Sequence, residues 1–182
     1  MNRDVSKIIR DRVEHDGNRY YAADNISEFI EDGELELLID EVAGKFEGVL
    51  QYDQLIVVRS DIKSMCSHHH QPVSGVCYIA CMPGDRVIGL SKYTRIAQHL
   101  SQRGHLQEEL TEMIAAQIEE LTASKAVGVY IRARHGCCEN RGIMSSNSST
   151  QTTVLKGEIK TNPALKNEFM HNVQIQENLG VS

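Results

Sequence analysis

Two groups of cysteine and histidine residues could do chemistry in this sequence. Cys66 precedes the run His68-His69-His70, and the group His135-Gly136-Cys137-Cys138 follows much later in the chain. A thiolate and an imidazole from one segment, with a thiolate from another, make three ligands, the number that catalytic zinc sites use while leaving a fourth position to water. Zinc lowers the pKa of such a water to about 7 and so activates it near neutral pH. The pattern predicts a hydrolytic metal centre, and no Cys-x-x-Cys pair indicates a zinc finger.

The other cysteines and histidines are expected to have structural places. Cys77 and Cys81 share one face of a predicted strand, where small buried side chains are common. Cys138 should point away from Cys137, because consecutive side chains at a strand end diverge. An odd number of cysteines without a secretory signal argues against a disulfide framework and favours a cytoplasmic setting. His70 is expected to be a loop residue, and surface or core places are expected for His99, His105 and His171.

Composition and charge exclude several classes of protein. The chain has 182 residues, of which 41% are apolar and 24% charged, and no apolar run approaches the ~18 residues of a membrane helix. Residues 1–51 hold 6 basic and 13 acidic side chains, a net charge of −7, whereas residues 52–182 hold 13 and 12, a net charge of +1. No basic block indicates nucleic-acid binding. An anionic small molecule still fits if a few cations converge locally.

Hydrophobic periodicity divides the chain near residue 52. Helical spacing in 4–14 and 34–50 predicts an N-terminal helical arm over residues 1–51. Beyond it, alternation predicts strands at about 55–58, 73–82, 125–134 and 150–159. Helices are predicted from Ser91, as N-cap, to Gly104, over 107–122, and from Asn162-Pro163 onward. This order is typical of an α+β domain over residues 52–182, with an antiparallel sheet and helices on one face.

Five motifs occur in a fixed order between residues 64 and 142. They are Ser64-Met65-Cys66-Ser67-His68-His69, Val87-Ile88-Gly89-Leu90-Ser91-Lys92-Tyr93-Thr94-Arg95-Ile96, Gln107-Glu108-Glu109-Leu110-Thr111, His135-Gly136-Cys137 and Arg141-Gly142. With their separations, they resemble the GTP cyclohydrolase I family over about residues 54–173. A lone Cys-x-His-His would be a weak signal, whereas five ordered motifs are specific.

The resemblance implies a fold, an assembly and a role for each matched residue. The fold is the T-fold, preceded by N-terminal helices, and the assembly is a toroidal homo-oligomer, typically a decamer, with active sites at subunit interfaces. By motif match, the Zn²⁺ ligands are Cys66, His69 and Cys137, and the acid/base pair is His68 and His135. Glu108 would hold the guanine edge of GTP. Around the triphosphate the match places Ser91, Lys92, Arg95 and Arg141.

The implied reaction suits these residue types. It opens the imidazole ring of GTP at C8, releases formate and forms 7,8-dihydroneopterin triphosphate. Purine C8 is a poor electrophile, so the step needs activated water and a proton at N7, which histidine can deliver near pH 7. A carboxylate accepts hydrogen bonds from both N1–H and the 2-amino group of guanine, a donor pair that adenine lacks. Cations and the N–H groups of a helix start balance a triphosphate.

Three features depart from the family pattern. Ser67 stands where most members have Glu, so a charge beside the acid/base histidine is absent. Glu139 lies close to Arg141, and a carboxylate there would repel a triphosphate unless it points away. The Thr-Pro-x-Arg helix that members carry before the first strand has no match, because Gln51 joins Tyr52 directly. Either the protein lacks this helix, or a segment between these two residues is missing from the sequence.

Two alternatives stay open beside the zinc cyclohydrolase. One is another T-fold pterin or deazaguanine enzyme, such as a nitrile reductase, which would need a nucleophilic cysteine and a nicotinamide cofactor. The paired metal-type motifs argue against it. The other is a catalytically weak relative that binds guanine nucleotides or acts as a structural partner, and its only support is Ser67 and Glu139.

Overall fold

A four-stranded antiparallel sheet organises the computed structural model, which describes residues 54–84 and 87–179. The strands lie side by side in chain order, and they are β1 (Ile56–Met65), β2 (Pro72–Met82), β3 (Ala126–His135) and β4 (Thr150–Gly157). At one end of the sheet Met65 pairs with Pro72, and Val73 pairs with His135. The β1–β2 loop and the end of β3 therefore lie next to each other.

Helices join and follow the strands in the described residues. Between β2 and β3 lie α1 (Leu90–Ser101) and α2 (Gln107–Thr122). The short helix α3 (Gly136–Glu139) follows β3 directly, and after β4 come α4 (Glu158–Thr161) and α5 (Pro163–Leu179). The predicted α+β class and antiparallel sheet are confirmed. The two helices predicted in the N-terminal arm, and with them the junction of Gln51 and Tyr52, lie outside the described residues.

Successive side chains of β2 point to opposite faces of the sheet, and both faces are buried. Cys77, Ile79 and Cys81 are buried in the core that α1 and α2 cover, and their own exposure is nil, as predicted for the two cysteines. Tyr78, Ala80 and Met82 point to the other face, where they pack in a second cluster with residues of α5 such as Phe169. Helices α1 and α2 thus cover one face as predicted, and the C-terminal helices add a layer on the opposite face.

Several element boundaries differ from the prediction for identifiable reasons. Strand β1 extends to Met65, because β2 pairs with it along its whole length and its polar residues Arg59, Asp61 and Lys63 alternate outward. Helix α1 begins at Leu90 after Gly89, whose extended backbone makes it the N-cap, so Ser91 lies in the first turn and is not the cap. The helix ends at Ser101, well before Gly104.

Two predicted helices have the expected bounds and caps. Helix α2 spans Gln107–Thr122, as the periodicity indicated. Helix α5 begins at Pro163, and the Asn162 side-chain oxygen accepts a hydrogen bond from the Ala164 N–H at 2.9 Å. Asparagine as cap and proline in the first turn are therefore confirmed.

Candidate metal centre and active site

A tight loop between β1 and β2 holds the first two metal-type side chains. The Cys66 N–H donates to the Gln71 carbonyl at 2.9 Å, and the His70 N–H donates to the Cys66 carbonyl at 2.8 Å. His70 has a left-handed backbone, which lets the chain turn back on itself. The loop buries the Cys66 side chain to 6% exposure and places its Sγ 3.9 Å from Nδ1 of His69.

Helix α3 brings Cys137 to the same point. It starts at Gly136, where a Cβ would lie 3.2 Å from the Pro72 carbonyl oxygen, so glycine permits close contact with β2. The ligand atoms of Cys66, His69 and Cys137 all lie within 4.8 Å of one another. In the part of the chain that the structure describes, this is the single group of three such residues close enough to hold a metal ion.

The three side chains fit a tetrahedral zinc ion. Bonds of about 2.3 Å to sulfur and 2.0 Å to nitrogen separate tetrahedral ligand atoms by about 3.5 to 3.8 Å. The observed separations reach that range through small side-chain movements. Three protein ligands also leave one position of a four-coordinate ion for water. The donor set therefore fits the ion that the sequence predicted.

Burial shifts the pKa values of a thiol and an imidazole of this site in opposite directions. Burial and the neighbouring thiols of Cys138 and Cys66 raise the pKa of Cys137. Partial burial, and then the positive charges of His68 and Arg141, lower the pKa of His69. The neutral imidazole is the form that binds metal, and binding converts thiols to thiolates.

Cys138 does not diverge from Cys137 as expected. The strand ends at His135, and residues 136–139 form a helical turn, which places the two Sγ atoms 4.0 Å apart. The expectation assumed an extended backbone and is wrong for that reason. Cys138 is nevertheless absent from the group whose ligand atoms converge.

Both histidines of the predicted acid/base pair lie beside the metal-type group. The ring centroids of His68 and His69 are 4.1 Å apart. His135 lies two residues before Cys137, and its Nε2 is 2.8 Å from Oε1 of Gln107. Burial lowers the pKa of His135, and the nearby Glu108 carboxylate acts in the opposite direction. The predicted guanine-binding carboxylate is thus close to one of the predicted acid/base residues.

Two adjacent glutamates at the start of α2 have different surroundings. Glu109 accepts a hydrogen bond from the Leu106 N–H at 3.3 Å and so caps its own helix. Glu108 is exposed and lies next to His135. Gln107, which sequence reasoning passed over, is buried at 5% exposure. Its role depends on contacts made through the folded chain, so no local signal in the sequence could have identified it.

The cations predicted around the triphosphate form two groups. Lys92 is only 7% exposed, and burial, followed by the charge of Arg95, lowers its pKa to about 8. Lys92 and Arg95 are therefore neighbours on α1, as their spacing predicted. Arg141 is exposed and close enough to His69 to affect its pKa. Ser91 is exposed in the first turn of α1, and the convergence of all four residues on one anion stays a prediction.

The Glu139 carboxylate is paired with an arginine. Its Oε1 pairs with Nε of Arg134, and Nη2 of the same arginine donates to the Ser146 carbonyl at 2.9 Å. The carboxylate is thereby neutralised within its own loop. The repulsion that the sequence raised as a difficulty is relieved, and Arg134 was not singled out because nothing in its spacing pointed to it.

Fold and site together define an α+β protein with a two-cysteine, one-histidine metal-type centre. The family model of GTP cyclohydrolase I matches residues 10–174. GTP cyclohydrolase 1 of Pseudoalteromonas translucida is 39% identical over 122 residues, 67% of this chain and 66% of that protein. The Pseudoalteromonas atlantica protein of that name is 38% identical over 145 residues, 79% and 78% of the two chains. The one from a Janthinobacterium species is 42% identical over 132 residues, 71% and 67%.

The chain therefore belongs to the GTP cyclohydrolase I family, and the resemblance found in the sequence is confirmed. It spans 66% of the length of several curated relatives that it matches. Among solved structures, that of the archaeosine synthase QueF-Like in the apo form covers 57% of this chain and 93% of its own, with a TM-score of 0.47 and 14% identity. No helix that the structure describes has both the length and the apolar character to span a bilayer.

A pair of cysteine variants tests the metal centre. We expect about one zinc ion per chain in the wild type, and loss of most of it in Cys137→Ala, because that change removes one of three protein ligands. Cys138→Ala is the matched control and should keep its zinc. The measurement is metal content after dialysis against a weak chelator, and equal zinc in both variants would refute the assignment of Cys137.

Proposed function

We propose that this protein is a zinc-dependent GTP cyclohydrolase that opens the imidazole ring of GTP, releases formate and forms 7,8-dihydroneopterin triphosphate. One observation carries the proposal. The imidazole of His135, two residues before Cys137 of the two-cysteine, one-histidine group, lies beside an exposed carboxylate, Glu108. Membership of the GTP cyclohydrolase I family supports the same reaction.

Cys66, His69 and Cys137 would hold the zinc ion, which when bound supplies a Lewis acid and a water of lowered pKa. His135 is half-buried beside this centre, so it can hold or deliver a proton where substrate nitrogen and oxygen atoms change protonation. His68 lies against His69 and is exposed, which suits a second proton donor that exchanges with solvent. Ring opening needs proton delivery and water attack at adjacent atoms, and these residues meet both needs.

Glu108 would recognise the base. Its exposed carboxylate can accept hydrogen bonds from the N1–H and the 2-amino group of guanine, which selects guanine over adenine. Because Glu108 lies next to His135, a base held there would have its imidazole ring close to the acid/base residue. The position of Glu108 thus serves specificity and alignment together.

The triphosphate would be bound by Lys92, Arg95 and Arg141. The first turn of α1, at Ser91, would also contact it. Lys92 is buried, so its ammonium group interacts with an anion through a medium of lower polarity than water. The whole chain carries a formal net charge of −6, so general attraction of GTP is weak and local cations must supply the affinity. The neutralised Glu139 leaves Arg141 available to this anion.

The active enzyme is proposed to be a toroidal homodecamer with active sites at subunit interfaces. Several large apolar side chains next to site residues in the sequence are exposed, and these are Met65, Leu90, Leu106, Ile143 and Met144. Larger exposed apolar patches mark interfaces between chains, so these side chains are candidates for the interface. Analytical ultracentrifugation would show a decamer if this holds, and a monomer at micromolar concentration would contradict it.

Formate release from GTP is the direct test of the proposed activity. The zinc-loaded protein should release formate and yield a product that fluoresces as a pterin after oxidation. A catalytically weak relative would bind GTP and release neither, and a nitrile reductase would consume a nicotinamide cofactor instead. Either of those outcomes would overturn the proposal.

Replacing each of the two neighbouring glutamates by glutamine, in separate variants, distinguishes base recognition from helix capping. Glu108→Gln replaces one acceptor oxygen with a donor, so we expect a loss in kcat/KM for GTP of about ten- to a hundredfold, as for hydrogen bonds to charged groups. Zinc content and thermal stability should stay near wild type. Glu109→Gln is the control, since glutamine also serves in a capping box, and its kinetics should change little. Similar losses in both variants would mean that the role of Glu108 is misplaced.

The lowered pKa of Lys92 predicts a pH dependence of GTP binding. With a pKa of about 8, Lys92 is charged below that pH and neutral above it in the free protein. The KM for GTP should therefore rise as pH increases from about 7 to 9. Lys92→Met should raise KM about ten- to a hundredfold at pH 7.

The Lys92→Met variant also serves as the control for the titration of GTP itself. Deprotonation of the nucleotide affects both proteins, whereas deprotonation of Lys92 affects only the wild type. The KM of Lys92→Met divided by the KM of the wild type should therefore decrease toward high pH. A ratio that stays constant between about pH 7 and 9 would show that Lys92 does not contact the triphosphate.

A further inference from the structure

We propose that Gln107 is a positioning residue that holds the His135 imidazole in one orientation, with its proton on Nε2 and its lone pair on Nδ1. The proposal rests on the proposed function, in which His135 is an acid/base residue. It concerns a residue that touches neither the metal-type group nor, in this account, the base. Gln107 acts through the imidazole that it contacts.

Two backbone carbonyls fix which way the Gln107 amide points. Its Nε2 lies 3.2 Å from the Ile131 carbonyl oxygen and 3.1 Å from the Thr150 carbonyl oxygen. Carbonyl oxygens only accept hydrogen bonds, so the amide nitrogen must face them. The reversed amide would bring its oxygen against both carbonyls and leave buried groups unsatisfied, which is costly at 5% exposure.

The orientation of the amide in turn fixes the tautomer of His135. With Nε2 of Gln107 turned to the carbonyls, its Oε1 faces the imidazole, 2.8 Å from the His135 Nε2. An amide oxygen can only accept, so the imidazole nitrogen must donate. A neutral imidazole carries one N–H, and it is therefore on Nε2. The lone pair of the ring is therefore on Nδ1.

A chain of hydroxyl groups reinforces the same direction. The Thr111 hydroxyl lies 2.6 Å from the Gln107 carbonyl oxygen and donates to it. Having used its hydrogen, Thr111 accepts from the Thr152 hydroxyl, 2.6 Å away. The Thr152 hydroxyl oxygen can then accept a hydrogen bond from the Gln107 side-chain nitrogen, 3.1 Å away. Every donor in the network has an acceptor, and the two N–H groups of the Gln107 side chain face three acceptor oxygens.

The network joins three elements behind the proposed active site. Gln107 belongs to the start of α2, Ile131 to β3, and Thr150 and Thr152 to β4. Glu108 follows Gln107 directly, so the residue proposed to hold guanine and the residue that orients His135 share one helical turn. Base binding and proton transfer are thereby given one rigid support.

The tautomer of His135 can be measured in the unmodified protein. The zinc-loaded wild type, labelled with nitrogen-15 in histidine, is studied by NMR at about pH 8, above the ordinary imidazole pKa. A His135→Asn variant assigns the signals. We expect Nε2 to show a bonded proton and Nδ1 to show none. A proton on Nδ1 would overturn the proposal whatever the activity of the enzyme.

Two variants of the network separate positioning from structural support. Gln107→Met removes the acceptor that faces His135, so kcat should fall about ten- to a hundredfold, as for outer-shell partners of functional groups, with little change in KM. Its His135 should show both tautomers, and its zinc content should be unchanged. Thr152→Val disturbs the same buried network but leaves Oε1 of Gln107 on His135. It should keep the Nε2–H tautomer and most of the kcat.

The outcomes distinguish this inference from the proposed function. If Thr152→Val loses as much kcat as Gln107→Met while keeping the tautomer, Gln107 has a structural role only. If Gln107→Met does not fold, the wild-type tautomer still decides the central claim. A wild type with Nε2–H that releases no formate would contradict the proposed function and not the orientation of His135.

Discussion

The pairing register at one end of the sheet is the constraint on which the site depends. Val73 of β2 pairs with His135 of β3, and Met65 of β1 pairs with Pro72. These pairs bring the loop with Cys66 and His69 against the turn with Cys137, although the segments are far apart in sequence. A slip of one residue would turn every side chain of a strand to the opposite face. Because the two faces of β2 pack in different hydrophobic clusters, such a slip would place each side chain in the cluster that is packed around its neighbour, and it is disfavoured for that reason.

Polar groups buried behind the site make the same arrangement more specific. An unpaired buried amide costs about 1 to 3 kcal/mol, so Gln107 is tolerated at the start of α2 only where its partners on β3 and β4 are in place. The hydrophobic clusters stabilise the sheet through non-directional contacts. Gln107 adds directional contacts that are satisfied in one register alone. The helix start is therefore fixed relative to His135, and this is where the site needs precision.

Much of this architecture could be predicted from sequence, and the failures have physical causes. Alternation in β2 and the apolar stripe of α2 gave their bounds, because both elements bury a continuous face. The length of β1 was missed, since its second half alternates polar residues outward and is held by pairing with β2. Ser91 was predicted as an N-cap from its residue type, whereas the N-cap is Gly89, two residues earlier.

The sequence motifs indicated some of the candidate site residues. Others were missed because their contacts form only in the folded chain. Cys66, His69 and Cys137 converge as the motifs implied. The proximity of Cys138 to Cys137 depends on a helical turn that spacing does not reveal. The pairing of Glu139 with Arg134 and the contacts of Gln107 join residues through the folded chain, so no local pattern could indicate them.

The central claim is that the sheet register builds a metal centre from two thiolates and one imidazole. X-ray absorption spectroscopy at the zinc edge of the zinc-loaded protein tests it most directly. The account predicts two sulfur ligands at about 2.3 Å and two nitrogen or oxygen ligands at about 2.0 to 2.1 Å, one from His69 and one from water. Three sulfur ligands would show that Cys138 also binds, and a shell without sulfur would show that the two segments do not form the centre. Either result would contradict the account.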